Sequence, residues 1–320
     1  MTLIHFLRII GVIIFTVSLS ALSQDYPDKP VRLIVPYPPG GSTDVLGRLI
    51  GAHLSETLGK TFVVDNRPAV DGIIGTELVA RANPDGYTFL IISTSHAVNV
   101  ALGRKLPYDT IKDFAPVTHI ANQQLLLVVH PSLPVKSVAE FIEYLKARPG
   151  KLDYASTSNA TALPVELFKK MSGTDIRHIP FKGAGQVTNA LLGGEVQISM
   201  PGAVAVLAHV RSGKLRALGI GDLKRSALLP DVPTIAESGV RGYQAAIWSG
   251  IVAPAKTPQP IVALINREIL RVLSKAEFKE RVALLGADAV GDSPEQWQRF
   301  LLSEIRKWGE IAKVSHFANE

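Results

Sequence analysis

Pro38-Pro39-Gly40-Gly41-Ser42-Thr43-Asp44 is the densest run of residues suited to chemistry in the chain. It follows the aliphatic run 31–35 and precedes a segment in which Val45, Leu46, Leu49, Ile50, Leu54 and Leu58 fall on one helical face. Glycine lets a ligand approach the backbone closely, and Ser42 or Thr43 can cap the helix while free N–H groups remain at its positive end. That geometry suits an anion, although a tight turn with an ordinary cap explains the same residues. Asp44 refines the reading. Its carboxylate would repel an anion in direct contact, so it is expected to cap the helix, hold a bridging water or pair with a ligand ammonium.

Three further turns of this kind stand at expected strand ends: Ser156-Thr157-Ser158-Asn159-Ala160-Thr161, Lys182-Gly183-Ala184-Gly185 and Met200-Pro201-Gly202. Ligands of open α/β sheets bind beyond the carboxyl ends of the strands, so these loops would line one cleft with hydroxyls, backbone donors and Lys182. Together they favour a small carboxylate. Enzyme signatures fail. Gly59-Lys60-Thr61 resembles part of a phosphate-binding loop, but Leu54 stands where the first glycine is required and Thr61 opens a strand. Gly183-Ala184-Gly185 offers only the first two glycines of a dinucleotide fingerprint, with no acid at the required distance. No Gly-x-Ser-x-Gly elbow and no i, i+4 histidine pair occur, and a hydrolase built on Ser156 or Ser42 lacks a matching base. His178 reads as a hydrogen-bonded structural residue in an apolar strand. With no cysteine, disulfides, thiolate metal sites, thiol nucleophiles and a lipid-modified N-terminal cysteine are excluded.

The frame holding these loops is an α/β alternation. The chain of 320 residues is 47% hydrophobic and 19% charged with a formal net charge of +6, which excludes a disordered chain and allows one large domain or two moderate ones. Basic residues come singly or in pairs such as Lys169-Lys170, Lys224-Arg225 and Arg306-Lys307, so no stripe for nucleic acid exists. At the N-terminus Arg8 precedes the apolar run 9–19, and Ala21-Leu22-Ser23 supplies small residues for cleavage. Residues 1–23 thus read as a secretory signal cleaved near Ser23, and no later run reaches the roughly 20 apolar residues of a membrane span.

Strands are expected at 31–35, 61–65, 88–93, 152–156, 177–181, 196–200 and 215–221, with a short helix at 75–81 and another carrying Val138, Phe141, Ile142 and Leu145. Segments 116–130 and 244–254 are extended, and the remainder after 254 is helical. Its last helix opens on Ser293, Pro294 and Gln296, a capping box in sequence form, and presents Trp297, Phe300, Leu301 and Trp308 on its apolar face. Two extended segments bracketing one block suggest a lobe inserted into another. Residues 24–122 with 248–320 would form lobe 1 and 123–247 lobe 2, with a hinged cleft between them.

Val35-Pro36-Tyr37-Pro38-Pro39-Gly40-Gly41-Ser42-Thr43-Asp44, Asn66-Arg67-Pro68, Pro84-Asp85-Gly86-Tyr87, Tyr108-Asp109, Asp113-Phe114-Ala115-Pro116-Val117, His178-Ile179-Pro180-Phe181-Lys182-Gly183, Asp231-Val232-Pro233-Thr234 and Ala253-Pro254 run in order through the chain. In this the sequence resembles the Bug family, the TctC-like solute receptors of tripartite tricarboxylate transporters. The resemblance implies a two-lobed α/β type II periplasmic binding-protein fold and a periplasmic, monomeric receptor without catalysis, metal or cofactor. It further implies a small organic acid held largely by backbone donors and bridging water, and delivery to the membrane permease subunits. The residues expected at the ligand are Tyr37, Pro39, Gly40, Gly41, Thr43, Asp44, Ser93, Ser156, Thr157, Ser158, Asn159, Thr161, Lys182, Gly183, Pro201 and Gly202. Two departures stand out. The glycine-rich continuation of Asn66-Arg67-Pro68 is here Ala69-Val70-Asp71-Gly72, which adds bulk and a carboxylate near the cleft. The loop 156–161 lacks the family's glycines and histidine and is shorter. A ligand sensor docking on a signalling receptor is the alternative reading.

Overall fold

The computed structural model describes residues 26–181 and 183–313. The secretory signal read at 1–23 and the loop residue Lys182 lie outside the described residues.

Strand β1 (Val31–Val35) is buried along nearly its whole length and pairs in parallel with β2 (Phe62–Asn66) and β3 (Thr88–Ser93). Parallel neighbours require crossovers, supplied by α1 (Ser42–Leu58) and by α2 (Ile73–Ala80), the latter entered through a single 3-10 turn at Val70–Gly72. After β3 comes α3 (Ser95–Ala101), which the sequence reading does not contain. The chain then runs through β4 (Phe114–Gln124) directly into β5 (Leu126–Val129). β4 belongs to one sheet and β5 to the other, with Leu125 alone between them.

The second sheet grows from α4 (Val138–Lys146), β6 (Asp153–Ser156), α5 (Asn159–Ser172), β7 (Arg177–Pro180), α6 (Ala184–Gly193), β8 (Ile198–Ser199), α7 (Ala203–Arg211) and β9 (Arg216–Ile220). Its strand order is β7-β6-β8-β5-β9. The return crossing is β10 (Ala246–Pro254), antiparallel to both β3 and β4. The C-terminal part contributes α8 (Gln259–Ser274), α9 (Ala276–Leu284), β11 (Ala287–Ala289) and α10 (Pro294–Ala312). The first sheet therefore reads β11-β4-β10-β3-β1-β2. β11 corrects the expectation that everything after 254 is helical. Its three residues carry no strand signal of their own and become a strand by pairing with the edge of β4.

The two crossings lie side by side. Gly221 donates its N–H to the Leu125 carbonyl at 2.8 Å, and Ala245 donates to the Gly221 carbonyl at 2.8 Å. A Cβ on Gly221 would stand 2.7 Å from the Ala245 carbonyl oxygen, so glycine is what allows this approach. Helix α10 clamps the first sheet beside the crossings. Ser293 and Gln296 form the expected capping box, with the Ser293 N–H donating to Gln296 Oε1 at 2.9 Å. Trp297 and Trp308 are fully buried, and each such indole removes on the order of 200 Å² from water, about 5 kcal/mol of transfer free energy. The Trp248 and Trp308 indoles both donate to Glu304 Oε2 at 2.8 Å, tying β10 to α10. Among the described residues no helix is long and apolar enough to cross a membrane.

Candidate functional site

The loop after β1 turns at Gly40, whose φ of 82° is the left-handed conformation that favours glycine, and Gly41 then enters α1 with extended backbone. Gly41 is the N-cap and has no side chain to offer, so the expectation that Ser42 or Thr43 caps the helix is corrected. The helix starts one residue too early for either hydroxyl. Val45 N–H donates to the Gly41 carbonyl at 3.0 Å, so the N–H groups ahead of it in the first turn have no intrahelical acceptor. Ser42 Oγ instead donates across to Gln123 Oε1 at 3.5 Å.

Asp44 is only 2% exposed and ties the loop together. Its Oδ2 accepts the Gly40 N–H at 2.9 Å and Arg48 Nε at 3.1 Å, while Oδ1 accepts Asn66 Nδ2 at 2.9 Å. Asn66 Nδ2 also donates to the Tyr37 carbonyl at 3.2 Å. Burial alone would raise the Asp44 pKa, but the Gly40 N–H, Arg48 and Asn66 outweigh it and hold the carboxyl below the usual range.

A cavity of about 430 Å³ opens between the two sheets. Tyr37, Pro38, Gly41, Ser42 and Thr43 come from the first loop, and Asp71 from the turn before α2. Ser93 comes from the carboxyl end of β3 and Ser95 from the start of α3, Gln123 and Ile247 from the crossing strands, and Ser158 and Ala160 from the start of α5. Tyr37 Oη lies 2.6 Å from Ser95 Oγ. Burial pushes the Tyr37 phenol up to about 12 despite the Ser95 and Ser93 hydrogen bonds, so it stays a neutral donor. Asp71 is the only charged side chain among the described lining residues.

A smaller hollow of about 60 Å³ lies in the second lobe, enough for a carboxylate group or a bound water. Ser156, Thr157, Thr161, Pro201 and Gly202 line it, with Ala184, Val187, Ser199 and Ala205. Thr161 Oγ1 accepts the Thr157 and Ser158 N–H groups at 3.2 and 3.3 Å, which shapes a loop that has no glycine. Ser156 Oγ lies 2.7 Å from His178 Nε2, and the imidazole stacks on Tyr154 with ring centroids 4.8 Å apart. His178 is thus hydrogen-bonded as the sequence suggests, whereas the expectation that Ser156 lacks a matching base is corrected. Strand pairing of β6 with β7 brings together residues 22 apart in sequence.

The expected residues divide accordingly. Tyr37, Gly41, Thr43, Ser93 and Ser158 line the large cavity, and Ser156, Thr157, Thr161, Pro201 and Gly202 line the hollow. Pro39, Gly40, Asp44, Asn159 and Gly183 line neither, serving as turn, tie and helix-start positions, and Lys182 lies outside the described residues. Sequence reasoning missed Ser95, Gln123 and Ile247 as lining residues. Gln123 carried a signal, an amide inside a largely apolar extended segment, while Ser95 lies two residues past the end of β3.

Protein BugT of Bordetella pertussis (strain Tohama I) is 39% identical over 319 residues, spanning 98% of each chain. Among solved structures, an R. palustris protein with adipate is 39% identical, with a TM-score of 0.78 over 90% of this chain and 98% of its own. MatC from Rhodopseudomonas palustris with bound malate is 32% identical, with a TM-score of 0.73 over 90% of this chain and 100% of its own. Periplasmic binding protein BugD is 31% identical, with a TM-score of 0.74 over 90% of this chain and 98% of its own. The model of the tripartite tricarboxylate transporter family receptor, TctC, matches residues 46–316, and the chain belongs to that family.

Proposed function

We propose that this chain is an exported, periplasmic receptor that captures a small carboxylate between its lobes and presents the closed form to the permease subunits of a tripartite tricarboxylate transporter. The observation that carries the reading is the composition of the large cavity. It gathers the open first turn of α1 and the hydroxyls of Tyr37, Thr43, Ser93, Ser95 and Ser158, with no cationic side chain among its described lining residues. Such a site replaces a carboxylate's hydration with N–H and O–H donors. The adipate and malate in the related structures support the same ligand class.

In this reading residues 24–122 with 248–320 form one lobe and 123–247 the other, hinged at the paired crossings. Ligand contacts available only when both walls meet the ligand drive closure. Tyr37, Gly41 and Thr43 bind from one wall; Ser156, Thr157, Ser158, Pro201 and Gly202 bind from the other. A thermal-shift screen of mono-, di- and tricarboxylates tests it. At about 100 times Kd, binding adds about 2.7 kcal/mol, which raises Tm by about 4 °C in a chain of this length. A shift from a neutral sugar or a metal ion, with none from any carboxylate, would refute the proposal.

A further inference from the structure

We infer that Asp71 selects the ligand's second end, favouring a carboxylate that carries a hydroxyl or ammonium group over a dicarboxylate. The inference rests on the receptor reading above and names a ligand class within it. Asp71 is the only non-glycine residue with positive φ among the described residues, at φ 51° and ψ 23°. Gly72 beside it is also left-handed, at φ 77°. Two successive left-handed residues are an unfavourable local choice, and such backbones persist where the surroundings fix them. Here the Gly72 N–H donates to the Ala69 carbonyl at 3.1 Å, and Asn99 Nδ2 donates to the Asp71 carbonyl at 3.2 Å. The turn therefore holds Asp71 at the wall of the large cavity.

The two carboxylate oxygens differ. Oδ2 accepts from Arg104 Nη1 in an ion pair whose side chains are 23% and 33% exposed, while Oδ1 has no hydrogen-bond partner among the described residues. Arg104 does not line the cavity. A ligand seated with one carboxylate at the first turn of α1 thus meets an acceptor oxygen, not a cation, on the Asp71 wall. A hydroxyl or ammonium there gains a charge-assisted hydrogen bond, whereas a second carboxylate meets like charge that Arg104 offsets only in part.

Calorimetry on the exported chain decides the matter with chain-length-matched probes: adipate, 6-hydroxyhexanoate and 6-aminohexanoate, then succinate, 4-hydroxybutyrate and 4-aminobutyrate. At one length at least, the hydroxy or amino acid is expected to bind tenfold or more tighter than the diacid. Asp71→Asn keeps a residue type that tolerates positive φ, and Asp71→Gly serves if the amide variant does not fold. In either variant the preference is expected to shift at least tenfold towards the diacid. Loss of the amino probe alone assigns an ammonium, and loss of the hydroxy probe alone a hydroxyl. A wild-type protein that prefers the diacid at both lengths, with the ratio unchanged in the variants, would overturn this inference and leave the receptor reading intact. Absence of binding by every probe would overturn both.

Discussion

Asp44→Asn separates a residue that shapes the binding loop from one that touches the ligand. The carboxylate accepts three hydrogen bonds, two of them from the part-buried Gly40 N–H and Asn66 Nδ2 and one from the half-exposed Arg48. An amide has one acceptor oxygen, so its NH2 must face Gly40 N–H with Arg48, or Asn66 Nδ2. One donor is left facing another. An unsatisfied buried donor costs about 1–3 kcal/mol and a charge-assisted bond is worth about 1.5–3 kcal/mol, with overlap between the two. The screened Arg48 contact adds little. Because these donors are only part-buried, a loss of about 1.5 kcal/mol is expected in denaturant unfolding, or a Tm lower by about 2 °C. The sign with pH follows from the depressed carboxyl. Its stabilisation is complete above the unfolded aspartate value near 3.9 and is lost as pH falls through the lower folded value, so the gap between wild type and variant closes only in strong acid. Because Asp44 does not line the cavity, calorimetry on the folded variant should return carboxylate affinities within about threefold of wild type. A more than tenfold loss of affinity with unchanged stability would refute the reasoning and make Asp44 a ligand partner.

Gly41→Val is expected to weaken carboxylate binding at least tenfold, about 1.4 kcal/mol, without unfolding the chain. Gly41 lines the cavity in extended backbone, and its added Cβ would meet nothing closer than the Pro38 carbonyl oxygen at 3.6 Å, so unchanged affinity would reduce this turn to a structural one. Gly40→Val has open space but a φ of 82°, so it is expected to lose about 1–2 kcal/mol of stability instead, read by denaturant unfolding. His96 is buried beside Tyr108 and Phe114, and burial pushes its imidazole down to about 4 despite the contact with the Thr110 carbonyl. The unfolded chain then binds the extra proton first, so stability should fall as pH drops from about 6.5 to about 4, by about 3 kcal/mol in all. In His96→Gln that part of the slope should vanish.

The parts of the fold legible in the sequence are those whose signal is local. Val31–Val35 and Thr88–Ser93 are apolar runs closed by turns, and both crossing strands stood out because 116–130 and 244–254 have no helical period. Ser293 and Gln296 announced α10 by side-chain chemistry that acts over three residues. What was hidden depends on partners far along the chain. Ala287-Asp288-Ala289 forms β11 because β4 offers an edge. Ser95–Ala101 carries Val98 and Val100 straight after a strand, and its helical start is set by tertiary contact, with Thr94 Oγ1 accepting the Trp248 N–H at 3.0 Å. The Ser156–His178 contact needs the register of β6 against β7, and the Asp71–Arg104 pair joins residues 33 apart. The carboxylate of Asp71 could be read as near the cleft. That one of its oxygens is held by Arg104 while the other has no hydrogen-bond partner among the described residues could not.

In the proposed receptor the position of Gln123 and Ile247 links binding to the hinge. Both line the cavity, and both stand on the crossing strands where these leave the first sheet, paired to each other in register. On one side of them the strands are fixed. A Cβ on Gly250 would stand 2.2 Å from Trp297 Cζ2, so β10 lies flat against the indole, and Trp248 is held through Glu304 to the same helix. On the other side, the crossing between sheets narrows to Leu125, Gly221 and Ala245, joined by backbone hydrogen bonds. A small rotation there would move the loop of Ser156 and Ser158 by more than it moves Gln123, because the loop lies farther from that pivot. In the proposed receptor the first wall would hold the ligand in a fixed geometry through the open first turn of α1, while the second wall would close onto it. On that reading closure would add donors to whatever part of the ligand the first wall leaves exposed, and Asp71, on the fixed wall, would choose which ligands present a surface worth closing on.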